Sequence, residues 1–178
     1  MSKGSDEMGK ILGSWSGMRK YLEKEMIADS LKGRVRYEST TYVGMDGCRI
    51  FRLFVDNEPI KSFSCETVNT YFIKCGYKTN SKPFGINEYW DEYWKLLDRY
   101  PLLERTEYTD EEFCDALTMY RNQDIKISIK ADNPLIKMFA IFDRRIGKRT
   151  LLNIEEQIRS CPEWLKKLYK IRMDAEEN

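Results

Sequence analysis

The 178-residue chain contains no histidine. That absence removes Ser-His-Asp and Cys-His nucleophile systems, HExxH zinc sites, histidine-based metal triads and histidine pH switches. A charge excess of one sign is missing as well: 30 Lys and Arg stand against 29 Asp and Glu. Such a balance gives no global attraction for nucleic acid or a membrane surface. Paired cysteines are lacking too. Cys48, Cys65, Cys75, Cys114 and Cys161 are odd in number and none are spaced CxxC, so neither a disulfide framework nor a zinc knuckle is indicated. Most sit in or beside apolar periodic segments, where a free thiol behaves as a small hydrophobe. Long apolar runs are absent. The N-terminal stretch has no apolar core of the length a signal peptide needs, and Met138-Phe139-Ala140-Ile141-Phe142 is far too short to cross a bilayer. The expectation is a soluble, cytosolic protein with no membrane partner. Without a Walker loop, GxGxxG, nucleophile elbow or EF-hand loop, no cofactor and no metal site are expected.

What the chain does have is aromatic residues: 11 Tyr, 8 Phe and 4 Trp within a composition that is 42% hydrophobic. That argues for a packed core and against disorder. The length suits one domain burying ~70% of its unfolded surface.

Residues 1–13 are polar and read as a flexible leader. A helix fits Ser14 to Asp29, with Trp15, Met18, Leu22 and Met26 at spacings of three and four and Gly33 as the stop. From Arg34 to Val43 the apolar residues alternate. Gly44-Met45-Asp46-Gly47 supplies a turn, Cys48 to Val55 alternates again, and Asp56-Asn57-Glu58-Pro59 turns into Ile60-Lys61-Ser62-Phe63. Three strands joined by two tight turns make an antiparallel meander. Ser64 then caps a helix ended by Gly76. The stretch Tyr77 to Ile86 is the one obvious loop and subdomain boundary. Asn87 caps a helix stopped by Pro101, and Thr109-Asp110-Glu111-Glu112 is a capping-box pattern. Ile125, Ile127 and Ile129 alternate like a strand, but flanking helices favour a short helix capped by Asp124. Asn133-Pro134 opens a helix expected to run to Ile146, Asn153 caps a short one, and Pro162 opens the last.

The expected fold is α+β: an N-terminal helix on a three-stranded antiparallel meander, then a mostly helical C-terminal half. Residues 14–76 hold helix, meander and helix; 87–178 form a helical part packed with the first as one domain.

Charge is uneven along this plan, with net +2 over 1–75, −4 over 76–133 and +3 over 134–178. The densest basic cluster is Asp143-Arg144-Arg145-Ile146-Gly147-Lys148-Arg149. Guanidinium forks match phosphate and carboxylate geometry, so Arg144, Arg145, Lys148 and Arg149 are candidates for a partner or anion. Lys137 joins them, since helical spacing puts it near one face with Arg144 and Lys148. The plain alternative is that cations in a last helical turn serve the helix dipole, with Asp143 pairing one of them. Tyr89, Trp90, Tyr93 and Trp94 form an aromatic band that could fill a partner groove. The plainer account is the inner stripe of an amphipathic helix completed by Leu97. Asp46, Asp56, Glu58 and Lys61 faintly resemble nuclease carboxylates that bind magnesium beside a lysine. Glu58 and Lys61, however, would point to opposite faces of a strand, and ordinary turn chemistry is the better reading.

Two blocks carry a resemblance. Trp15-Ser16-Gly17-Met18-Arg19-Lys20-Tyr21-Leu22-Glu23 with Leu31-Lys32-Gly33-Arg34-Val35-Arg36-Tyr37 forms one, and the run from Asp132 through Leu151 forms the other. Both resemble the two ends of a family of small bacterial cytosolic proteins of unknown function. The resemblance implies bacterial origin and cytosolic residence, and it carries no catalytic residue. In that family the chain begins near the tryptophan, so residues 1–13 look like an extension. Asp132, Pro134, Leu135, Lys137 and Ala140 also resemble one HEAT-type helix, but a single copy lacks the neighbours such repeats need.

No set of groups converges on one reaction. The expected function is therefore a non-enzymatic protein-binding module using the basic corner or the aromatic helix. The rival is a nucleic-acid or phosphate-group binding or processing protein using Arg144 to Arg149.

Overall fold

A computed structural model describes residues 13–41, 49–78 and 86–177. The expected leader (residues 1–12 of it), the Gly44–Gly47 turn and most of the 77–86 loop lie outside the described residues.

Helix α1 (Trp15–Lys20) begins where the Ser14 hydroxyl accepts the Gly17 N–H at 3.1 Å. The predicted helix to Asp29 does not continue regularly. Tyr21–Glu25 widens into a π-helical turn, and a 3-10 turn follows at Asp29–Leu31. The widened turn still keeps Met18, Leu22 and Met26 buried on one side. Gly33, at φ +78°, then swings the chain into the sheet.

Strands β1 (Val35–Thr41), β2 (Arg49–Val55) and β3 (Glu58–Phe63) form an antiparallel sheet in the order β1-β2-β3. The second turn is tighter than the four residues predicted. Only Asp56 and Asn57 turn, both at positive φ (52° and 65°), which matches a two-residue type I′ hairpin. Arg34 grips Asp56 with two hydrogen bonds, at 2.9 and 2.8 Å. Leu53 pairs with Lys61 and Phe54 with Pro59, so β3 is bulged beside its proline. Alternation buries Val35, Tyr37, Phe51, Leu53, Val55 and Phe63 on one face.

Helix α2 (Cys65–Lys74) is capped by Ser64, and α3 (Ile86–Arg99) starts one residue before the predicted cap Asn87. Helix α4 (Asp110–Asn122) has the capping box in full, with Thr109 and Glu112 exchanging hydrogen bonds. Helix α5 (Ile125–Ser128) is capped by Asp124, which resolves that segment as helix. Helix α6 (Pro134–Phe142) opens on Asn133 as expected but stops four residues early. Helix α7 (Lys148–Asn153) and helix α8 (Glu155–Arg159) are separated by Ile154, so Asn153 ends one helix instead of capping the next. Helix α9 (Glu163–Ala175) follows Pro162.

All nine residues of α6 are buried. A helix buried on every side, apolar except for Lys137, belongs in the centre of a fold, and α6 packs against α4, α5 and α9. Phe113 of α4 joins the layers. Its ring lies 5.0 Å from Phe51, 4.9 Å from Phe63 and 5.4 Å from Phe139. A smaller core sits between α2 and α3, where Val68 and Phe72 meet Tyr93 and Leu96. Among the described residues, no helix is long and apolar enough to cross a membrane.

Candidate functional site

The basic corner is built on Asp143. Helix α6 ends at Phe142 because the next residues leave it to pair with the segment after α1. Ala28 donates its N–H to the Phe142 carbonyl and Arg144 donates to the Met26 carbonyl, each at 2.8 Å. This short antiparallel bridge centres on Ile27 and Asp143. It also corrects the expectation that Lys137, Arg144 and Lys148 share one helical face, because Arg144 and Lys148 lie beyond the helix that carries Lys137.

The Asp143 carboxylate is 1% exposed. It accepts the Arg145 backbone N–H at 2.7 Å, the Arg145 Nε at 3.0 Å and Nη2 at 2.7 Å. The Tyr120 hydroxyl donates to it as well. Burial pushes this carboxyl upward, but the bonds from Arg145 and Tyr120 outweigh it and hold it below the ordinary carboxylate range. Arg145 is raised in turn, first by its hydrogen bond to Asp143. With its acceptor sites filled, Asp143 serves as an anchor and not as an acid or base.

Around this anchor lie residues that the sequence reading did not single out. The Arg121 guanidinium sits 4.8 Å from the centre of the Tyr21 ring, at the start of the π-helical turn. Burial raises the Tyr21 hydroxyl and Asp143 adds to the rise, while Arg121 and Arg145 oppose it. Arg172 is 2% exposed and binds the loop from below. It donates to the Ile141 carbonyl at 3.1 Å, the Ile146 carbonyl at 2.9 Å and the Ser30 hydroxyl at 2.6 Å, and it pairs with Glu176. No local pattern announces these partners. The nearest signal is one arginine among the lysines of α9, a helix whose other face is apolar.

The four predicted cations of the corner therefore divide. Arg145 holds Asp143, and Lys148 meets Glu177 at 3.4 Å. Arg144 and Arg149 are exposed and form no ion pair within 4.0 Å among the described residues. Lys137 is buried elsewhere. The expected service of these cations to a helix dipole also fails, since the helix has ended before them.

The aromatic band is split in the same way. Tyr93 is fully buried and Trp90 half-buried against α2, while Trp94 is 48% exposed. Tyr89 lies over the buried Lys78 amine, 3.3 Å from its ring centre. Lys78 also donates to the Asn69 side-chain carbonyl at 2.9 Å and to the Tyr89 carbonyl at 3.1 Å, tying α2 to α3. The band is chiefly an inner stripe, although Leu96 and not Leu97 is its buried leucine.

An open groove of about 530 Å³ beside α2 is lined by hydroxyls and by Tyr71, Lys74 and Glu107. Asp56 is the hairpin partner of Arg34, Glu58 lies at the strand start, and Asp46 falls outside the described residues. No group of three or more Cys, Asp or Glu gathers to hold a metal ion among the described residues.

The residues that build this α+β architecture and the loop locked to Asp143 lie within the span of a family-model match. The chain belongs to the SF0329 protein family, whose model covers residues 14–173. The match takes in both sequence blocks that carried the resemblance. No curated protein and no solved structure matches the chain.

Proposed function

We propose that the chain is a bacterial, cytosolic, non-enzymatic protein-binding module whose basic corner receives an acidic protein segment. The observation supporting this reading lies on α7. Arg149 and Leu152 stand three residues apart, hence side by side on the helix surface, and both are exposed, Leu152 by 49%. A guanidinium beside an uncovered leucine suits a carboxylate flanked by an apolar side chain. A nucleic-acid backbone would instead call for several cations in a row. Here, among the described residues, Arg144 and Arg149 are unpaired, and Lys148 is already matched by Glu177.

Capture from a bacterial lysate on the intact chain is expected to yield a stoichiometric partner. Arg144→Glu with Arg149→Glu should abolish it while the circular dichroism spectrum stays unchanged. Arg145 is left intact in this test because it holds Asp143. Salt titration against labelled RNA and DNA is the counter-test. Tight binding that weakens steeply with salt would overturn the protein-binding reading in favour of a phosphate-backbone ligand.

A further inference from the structure

Five cations are buried among the described residues: Lys61, Lys78, Arg105, Lys137 and Arg172. Four of them are satisfied by oxygen. Lys61 meets Glu107 at 2.5 Å and the Thr106 carbonyl at 2.8 Å. Arg105 pairs with Glu112 and donates to the Tyr100 and Glu107 carbonyls. Arg172 pairs with Glu176 and two carbonyls. Lys78 has two oxygens and a ring face.

Lys137 is the exception. It is 4% exposed, yet its amine has a single polar contact among the described residues, the Cys161 sulfur at 4.0 Å. An ammonium carries three donors, and burying its charge without an anion is costly. Lys137 lines a recess of about 130 Å³ whose wall also carries Arg105, Asp132, Ser160 and Cys161. At ~30 Å³ per water, that space holds roughly four waters, or a molecule of four to six non-hydrogen atoms.

We propose that this recess is a binding site for a short monocarboxylate, of glycolate size, whose carboxylate pairs with Lys137. The second half of the recognition comes from Asp132. A carboxylate on the wall disfavours a multiply charged anion such as phosphate and accepts a hydrogen bond from a ligand hydroxyl or amino group. Arg105, on the same wall, is already neutralised by Glu112 and adds no net charge. The site is independent of the basic corner: Lys137 faces the recess at the start of α9, while the exposed arginines lie past the end of α6.

Cys161 provides a native reporter, since it is part-exposed beside the amine, and Cys75, exposed just past the end of α2, is the control. The intact protein is treated with iodoacetamide and the alkylation of each thiol is followed by mass spectrometry with acetate, glycolate, glycine or inorganic phosphate present. Glycolate or glycine should slow Cys161 about tenfold at ten times its dissociation constant, leaving Cys75 unchanged. Acetate should protect more weakly, and phosphate should not protect. Lys137→Met should remove the protection, and Asp132→Asn should erase the preference for glycolate over acetate. Line broadening of carbon-labelled glycolate supplies a readout independent of the thiol. No protection and no broadening at millimolar glycolate or glycine, or protection by phosphate above both, overturns the proposal.

Discussion

The Tyr120 hydroxyl, on α4, donates to the Asp143 carboxylate just beyond α6, 23 residues along the chain, while Arg145 closes over the same oxygen at 2.7 Å. One buried anion thus joins two helices and a loop. Removing Tyr120's donor deletes a hydrogen bond to a charged group, and Tyr120→Phe should cost about 1.5–3 kcal/mol in urea unfolding. Arg145→Met leaves the same carboxylate uncompensated. Because the Arg145 side chain is half exposed, the loss should be nearer ~1–3 kcal/mol than the full cost of a buried pair. The double variant should fall short of the sum, since both act on one carboxylate.

Stability should carry the mark of Asp143 in acid. Its folded carboxyl lies below the ordinary range. The contribution is therefore complete above the unfolded carboxylate value and disappears as pH falls through the lower, folded value. Urea midpoints of the wild-type protein and Asp143→Asn, measured from neutral pH downward, should converge on acidification. Parallel curves would show that the carboxylate's charge is not what stabilises the loop.

Tyr37 should respond the other way. Its side chain is fully buried and its hydroxyl has no hydrogen-bond partner among the described residues. Tyr37→Phe removes an unsatisfied polar group while keeping the ring that lies 6.1 Å from Phe113. The variant should be more stable than the wild type by about 1 kcal/mol in thermal or urea unfolding.

Glu112 serves two structures at once, capping α4 through the Thr109 N–H at 2.9 Å and pairing with buried Arg105. Thr109→Ala should cost ~1 kcal/mol, the usual value of a cap. Glu112→Ala should cost clearly more, because it also strips Arg105 of the carboxylate it pairs with. Chemical denaturation of the two variants side by side tests the order.

The local signals were readable because their physics is local. Ser64, Thr109, Asp124 and Asn133 each cap the helix that follows within three residues, and the meander's alternation spans only one strand at a time. What escaped the sequence was set by distant chain. Helix α6 stops at Phe142 because Met26 and Ala28 claim its next peptide groups, and no pattern between 134 and 147 encodes that. Lys137 looked like a surface cation by spacing, yet the helix carrying it is enclosed on all sides. Arg145 and Arg149 look alike in the sequence, and only the pocket around Asp143 separates an anchor from an exposed arginine. The π-helical turn at Tyr21–Glu25 likewise has no signature in the residues that form it.

The Arg172 clamp bears on the order in which the chain can be completed. Ser30 hydrogen-bonds both Arg172 and Glu176, 142 and 146 residues away. A ribosome delivers Ser30 142 residues before Arg172, so its segment waits through that interval for its partner. During that interval the early apolar face of Met18, Leu22 and Met26 has neither α6 nor α9 to cover it. Closure of this contact therefore follows the synthesis of α9, and truncation before Arg172 would leave Ser30 without its clamp.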